Sequence, residues 1–349
     1  MVSDDQDLVR QTVREVLTAH PPVSLTAELT WDEGLWAELA AAGLTGVGLP
    51  EEAGGSGGEV ADAVAVVGEL ARGAGAVPVG EQLLVAGPAV LAAGLQLPPP
   101  DEPLVAAVDG DLTAVPDGDG WLLSGTAVDV PWAGVALHLA VLAQGPDGPV
   151  LALVRAPAPA WTHANLAGEP RGSVAFDGLR APAAPITVAA VADLRARAAL
   201  LRAVQLAAAL EQVLALTLRY AGEREQFGRP LGKFQAIQMY LAEMAGEVTA
   251  VTAVVDAAVQ ALEAGEPLVP AAATAKVRAG AAVEVVAALA HQVHGAIGFT
   301  QEHALHHLTR RCWAWRDEAG SELAWSATLG EHLVAGGADG FWPALTRVV

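Results

Sequence analysis

The sequence predicts a mainly helical α+β protein in which a small β domain separates two helical parts. Three observations predict it. Apolar residues recur at alternating three- and four-residue steps from Phe234 to Leu262, the seven-residue pattern of a helix packed in a left-handed bundle. After Pro98-Pro99-Pro100 the pattern changes to short apolar runs divided by turn residues, which reads as strands. Ala, Val, Leu and Gly dominate while aromatic residues make up only 5%, a composition that lets helices approach closely.

Residues 1–100 read as helices. Leu8, Val13, Val16 and Leu17 give one apolar stripe, and Leu35, Trp36 and Leu39 another. Between them and the next helix, Pro50 to Gly58 (PEEAGGSGG) reads as a flexible connector whose glycines match no phosphate-loop spacing. Residues 101–187 read as the β domain. Its strand candidates are the WLLSG run after Pro116-Asp117-Gly118-Asp119-Gly120, then Ala136–Ala143, Val150–Val154 and Ser173–Phe176. Residues 188–349 return to the helical period. The run Phe234, Ile237, Leu241, Met244, Val248, Val251, Val255, Ala258 and Leu262 ends at Glu266-Pro267, and a helix rich in Ala and Gly follows from about Ala271 to Val293.

At 349 residues, 53% of them hydrophobic, the chain has material for two or three domains and a large core. A formal charge of −21 argues against nucleic acid and against anionic membrane surfaces, both of which would repel it. The single cysteine, Cys312, excludes an intrachain disulfide and fits a reducing compartment. The start, MVSDDQDLVRQ, has neither the basic nor the apolar region of a signal peptide. Glu284 and His138 interrupt the best membrane-spanning candidates. The expectation is a cytoplasmic protein without membrane insertion.

The segment Arg219–Met244, RYAGEREQFGRPLGKFQAIQMYLAEM, carries the strongest signal. Tyr220 reads as the end of one helix, and Lys233-Phe234-Gln235 as the opening of the next. On its residues alone it is an ordinary helix–helix connection. Chemically, Arg224 can pair with a phosphate, Gln226 and Gln235 can hydrogen-bond a nucleotide, and Phe227 can cover a ring. This segment resembles the acyl-CoA dehydrogenase signature, whose Arg-x-Gln-Phe-Gly loop holds the ADP half of FAD. The stretch from Ala290 to His303, AHQVHGAIGFTQEH, is similar to the family's Gln-x-x-Gly-Gly-x-Gly-Phe stretch, which meets FAD of a neighbouring subunit; Ala296 stands at the second glycine. WDEGLWAELAAAGLTGVGLPEEAGG, GWLLSG and FDGLRAP extend the resemblance over nearly the whole chain. It implies a helical N-terminal domain, a middle β domain and a C-terminal four-helix bundle, with FAD as cofactor, an acyl-CoA thioester as substrate and an oligomer built through the bundle. The implied cofactor-binding residues are Arg224, Gln226, Phe227, Gln235, Gln292 and Gly295.

The family's chemistry needs a carboxylate to take an α-proton while flavin takes a β-hydride. Counting from Gly298-Phe299, the usual glutamate position falls on Ala319 in Glu318-Ala319-Gly320-Ser321; the alternative position in the preceding helix falls near Ala198. Glu318 and Glu322 flank the gap, so Glu318 is the candidate base. The competing reading makes Glu318 and Asp317 acidic first-turn residues of a helix capped by Ser321. The family's Thr-Glu-Pro-Gly-x-Gly-Ser-Asp-like loop is missing from Leu104–Pro116, and Trp132 is a weak match to a residue near the flavin ring.

Three functions are therefore weighed. The first is the shorter subunit of a heteromer with a longer acyl-CoA dehydrogenase chain, supplying residues to the partner's FAD site. The second is a self-sufficient FAD oxidoreductase using Glu318 or Glu322. The third is a non-catalytic scaffold subunit. Nothing in the sequence selects an electron acceptor. His303, His306 and His307 have a spacing that brings two imidazoles together, but a packed or solvated face explains them more simply. Arg310 and Arg311 read as surface or subunit contacts, and Trp313, Trp315 and Trp325 as core.

Overall fold

The computed structural model describes residues 4–22, 31–300 and 302–346. They fall into two compact units, Met1–Leu201 and Arg202–Val349.

The first unit opens with α1 (Asp4–Ala19), α2 (Glu33–Ala41) and α3 (Val60–Arg72), followed by a π-helical turn, Glu81–Ala86, that runs into α4 (Gly87–Ala92). Asp32 caps α2 through the Leu35 amide at 2.9 Å. Val13, Leu35, Leu39, Val66 and Leu70 are buried, whereas Leu8 is 63% exposed. The stripe predicted on α1 therefore starts a turn later than its spacing suggested. The stretch predicted to be a flexible connector is instead a built loop. Gly48 N donates to Gly57 O and Gly57 N to Leu49 O, and a Cβ on Gly55 would sit 2.2 Å from Leu49 O. Its glycines serve close backbone approach rather than mobility.

One sheet follows, made of β1 (Leu104–Ala107), β2 (Gly110–Asp117), β3 (Gly120–Pro131), β4 (His138–Gly145), β5 (Gly148–Arg155), β6 (Trp161–Ala164), β7 (Pro170–Ala181) and β8 (Ala183–Pro185). Its order is β6-β7-β3-β2-β4-β5-β8, and β1 pairs with β4 in parallel. Alternate residues of β3, β4 and β7, among them Leu123, Leu139, Val141, Val174 and Phe176, face one apolar core. Gln82 ties helices to sheet: its amide donates to Thr45 O and Pro100 O and accepts from the Leu104 amide at 2.8 Å.

Helix α5 (Val188–Glu223) begins in the first unit and ends in the second, three residues beyond the predicted end at Tyr220. The second unit continues with a hairpin, β9 (Glu225–Gln226) and β10 (Arg229–Pro230), then α6 (Gln235–Glu263), α7 (Leu268–His294), a tight turn Gly295–Phe299, α8 (Leu305–Asp317), α9 (Glu322–Ala335) and α10 (Gly337–Thr346). Along α6, Met244, Val248, Val251, Val255 and Ala258 are buried, as the seven-residue pattern requires. Helix α7 packs along α6 and α9 with a face of small residues, Ala272, Ala275, Ala279, Ala282 and Ala290. Helical N-terminal part, central sheet and C-terminal helices thus stand as the sequence predicts.

The expectation that Glu284 interrupts the best helical membrane-spanning candidate is overturned. Three stretches, Val188–Glu223, Gln235–Glu263 and Leu268–Phe299, are long and apolar enough to cross a membrane by length and composition. A single acidic residue such as Glu284 does not offset so many Ala, Val and Leu. Only 28% of the apolar window in Gln235–Glu263 is buried, so much of α6 faces outward.

Candidate functional site

The hairpin after α5 holds three of the predicted cofactor-binding residues. Gln226 and Arg229 pair, leaving Phe227 and Gly228 at the apex with φ of +52° and +76°. Such mirror-image turns suit Asn-Gly or Gly-Gly; holding a Phe there costs about 1 kcal/mol in backbone strain. Phe227 is nevertheless 93% exposed, and Arg224 and Gln226 beside it are exposed too. The Arg224 amide donates to Tyr220 O and the Leu231 amide to Arg224 O, each at 2.8 Å, which closes the hairpin. The Arg229 guanidinium lies 4.1 Å over the Phe234 ring, and Gln235 opens α6 on the exposed surface.

The other predicted residues cap the end of α7. Gln292 is exposed, and Gly295 turns the chain with φ +64° into Gly295–Phe299, where Phe299 is 71% and Ile297 43% exposed. Side chains join this turn to the hairpin. The Tyr220 ring stacks on His294 at 4.5 Å, its hydroxyl donates to His294 O at 3.4 Å, and His303 meets the His294 ring edgewise at 4.7 Å. The structure therefore brings Arg224, Gln226, Phe227, Gln292 and Gly295 to one end of the helical unit.

A separate loop carries Glu318 and Ala319. Arg202, 6% exposed, pairs with Glu318 at 3.0 Å. Lys276, fully buried in α7, donates to Gly320 O at 2.9 Å and also to Arg316 O. Arg316 grips Glu322 with both arms of its fork, at 2.7 and 3.1 Å, and the Trp325 indole donates to Ala319 O at 2.7 Å. Ala319 is held at φ +54°. Burial lowers the Lys276 pKa to about 8, helped by the Arg202 charge and opposed by Glu322, Asp317 and Glu318.

Residues 3–96 match the family model for the acyl-CoA dehydrogenase N-terminal domain, and residues 190–323 that for the C-terminal domain. The chain is 32% identical over 311 residues to "Acyl-CoA dehydrogenase IpdE2" of Mycobacterium tuberculosis, covering 87% of this chain and 89% of that one. This chain belongs to the acyl-CoA dehydrogenase family. Among solved structures it is similar to one titled "Tcur3481-Tcur3483 steroid ACAD G363A variant", with a TM-score of 0.85, 32% identity and coverage of 96% and 99% of the two chains. It is also similar to a chain of the "ChsE4-ChsE5 complex from Mycobacterium tuberculosis", with a TM-score of 0.85 and 25% identity over 96% of this chain and 98% of that one.

For this acyl-CoA dehydrogenase family member, several expectations change. Glu318 is not a first-turn acid: it lies past the end of α8 and before Ser321, which caps α9 through the Ala324 amide at 3.3 Å. Glu322 does open α9, but bonded to Arg316. Arg311 is fully buried, with Nη1 donating to His307 O at 3.0 Å, and so is no surface contact. His303 precedes α8 and accepts from the Leu305 amide at 3.1 Å. No cluster of metal-ligating side chains occurs among the described residues. Burial and the neighbouring His306, Arg311 and Arg310 lower the His307 pKa to about 4, and burial pushes the Cys312 thiol up to about 12, leaving it inert. Trp315 and Trp325 are buried, while Trp313 lies under the Arg316 guanidinium at 5.2 Å.

In the sheet, only Val108 and Asp109 separate β1 from β2, which leaves no room for a flavin-side loop there. Trp132 is 2% exposed at φ +55°, and its indole N–H has no acceptor among the described residues. Sequence reasoning missed Arg202 and Lys276. A lone lysine in the alanine-rich face of α7 was the available signal, because an unpaired buried ammonium is too costly to stand without a fixed role.

Proposed function

We propose that this chain is the shorter subunit of a hetero-oligomeric, FAD-dependent acyl-CoA dehydrogenase and completes the flavin site of a longer partner chain. The observation that carries the reading is the state of the carboxylates. Ala319 stands at the family's usual base position, Glu318 is committed to Arg202 and Glu322 to Arg316. A general base must meet the substrate proton directly, whereas both glutamates are held in place by guanidinium partners.

The other end of the helical unit fits a group with phosphates and a flat ring. Arg224 is exposed beside the apex ring of Phe227, and the amides of Gln226, Gln235 and Gln292 are exposed as well. Gly295, at positive φ and without a Cβ, lets backbone approach a ligand closely. The sheet fits that group less well, since β1 runs almost directly into β2. FAD, when bound, would supply the hydride acceptor. Arg224 would pair with a phosphate of that group, the glutamine amides would orient its nucleotide, and Phe227 would shield a ring from water. The proton goes to a carboxylate of the longer chain.

The two-chain titles of the similar solved structures support a heteromer, and the steroid named in one makes a steroid-derived acyl-CoA the first substrate to try. The test is the visible spectrum of this chain purified alone and co-expressed with a longer, glutamate-bearing homologue. The expected result is a colourless chain alone and a yellow, active complex that carries flavin. A chain that alone binds about one flavin and is bleached by an acyl-CoA overturns the reading.

A further inference from the structure

The hairpin apex and the Gly295–Phe299 turn are both exposed, yet each depends on a few side chains for its place. At its base the hairpin is closed by the Leu231 amide on Arg224 O, and the Arg224 amide is tied to Tyr220 O; Tyr220 in turn meets His294 face to face and through its hydroxyl. His294 is 3% exposed and immediately precedes Gly295. Its Nδ1 faces Ala290 O at 2.8 Å, so that nitrogen carries the hydrogen and the unpartnered Nε2 carries the lone pair. A neutral imidazole in that state stacks on a phenol without burying a charge, and burial lowers the His294 pKa accordingly. His303 closes the third side, edgewise to both rings. On the turn, Phe299 stacks on His291 at 4.3 Å, and His291 meets Thr309 at 3.0 Å.

We propose that the Tyr220–His294–His303 ring stack is a positioning joint that sets the Arg224–Arg229 hairpin against the Gly295–Phe299 turn, so that both meet the flavin as one surface. The proposal rests on the supporting-subunit reading for its flavin clause alone. None of the three rings touches the cofactor in this assignment; they act through the segments they hold. Other ties of the hairpin run forward towards α6, through Arg229 and Phe227 on the Phe234 ring. They fix the hairpin to α6 but not to the turn.

The test compares His294→Leu, which keeps volume but loses the ring, with His294→Phe, which keeps the stack. Tyr220→Phe serves as a control that loses only the long hydroxyl bond. Hydrogen exchange of the Arg224 and Leu231 amides is followed in the full chain alone, and FAD is titrated into the stripped complex. In His294→Leu the hairpin amides are expected to exchange about tenfold faster, the scale of one lost aromatic contact, while core amides of α7 hold their rates. FAD affinity is expected to fall with them, and His294→Phe to restore both. Hairpin exchange equal to wild type in His294→Leu overturns the joint. Faster exchange in a complex that never takes up FAD leaves the joint standing and overturns the flavin reading instead.

Discussion

Replacing Glu318 by Gln separates a structural carboxylate from a catalytic one. The substitution keeps shape and removes charge. It leaves the Arg202 guanidinium, 6% exposed, facing an amide on one side and Gln205 at 2.6 Å on the other. Breaking a fully buried pair from one side costs about 3–5 kcal/mol. Glu318 keeps 21% exposure, so water reaches the guanidinium and the expected loss is about 1–3 kcal/mol. In a chain of this size that lowers the midpoint of thermal unfolding by roughly 2–6 °C. Turnover of the proposed heteromeric complex is expected to stay within about threefold of wild type, because loss of a general base costs on the order of 10²–10⁴. Scanning calorimetry and steady-state turnover on the same preparation provide the two readings. Arg202→Met paired with Glu318→Gln should recover part of the lost stability, since both members of the ion pair are then removed together. A hundredfold fall in turnover at unchanged melting temperature would refute the reasoning and make Glu318 the base.

Three further outcomes are expected. Phe227→Gly should leave stability unchanged or raise it by up to about 1 kcal/mol by relieving positive φ, while weakening flavin binding to the complex severalfold in a fluorescence titration. Lys276→Met should cost about 1–3 kcal/mol in urea unfolding, because the Arg316 and Gly320 carbonyls lose their donor. His291, His294, His303 and His307 all have pKa values lowered from 6.5 by burial, His307 to about 4. The unfolded state then binds more protons below about pH 6.5, so stability should fall as pH drops from there towards 4. His307→Gln should flatten that slope, as read from unfolding midpoints across the range.

Periodicity made the helices legible. The seven-residue run on α6 predicted its buried face because a helix core is a repeating, local signal. Turn chemistry placed the strands, as Pro146-Asp147 does between β4 and β5. The start of β7 was not legible, since Pro170 and Arg171 are buried there without the look of a strand. Nor was the β9–β10 hairpin: Phe-Gly is a poor match to its turn, and only the strained apex reveals it. The glycine loop after Pro50 was misread because glycine serves flexibility and close packing alike. The candidate site divided the same way. Arg224, Gln226 and Phe227 are contiguous and came from the motif. The Lys276 clamp spans 40 and 44 residues and leaves no local pattern. The Arg202–Glu318 pair lies further apart still in sequence and was hidden for the same reason.

The two loops carry opposite signs of purpose. Around Ala319, a buried lysine, a buried arginine and an indole are spent on backbone and on Glu318, which holds a left-handed turn rigid although no carboxylate stands at its centre. At the other end, a strained Phe227 and a stacked Phe299 stay exposed. An isolated protein gains by the reverse arrangement, covering its aromatic rings and relaxing a turn that does no chemistry. Both features accord with the proposed supporting subunit, in which another molecule completes the exposed end.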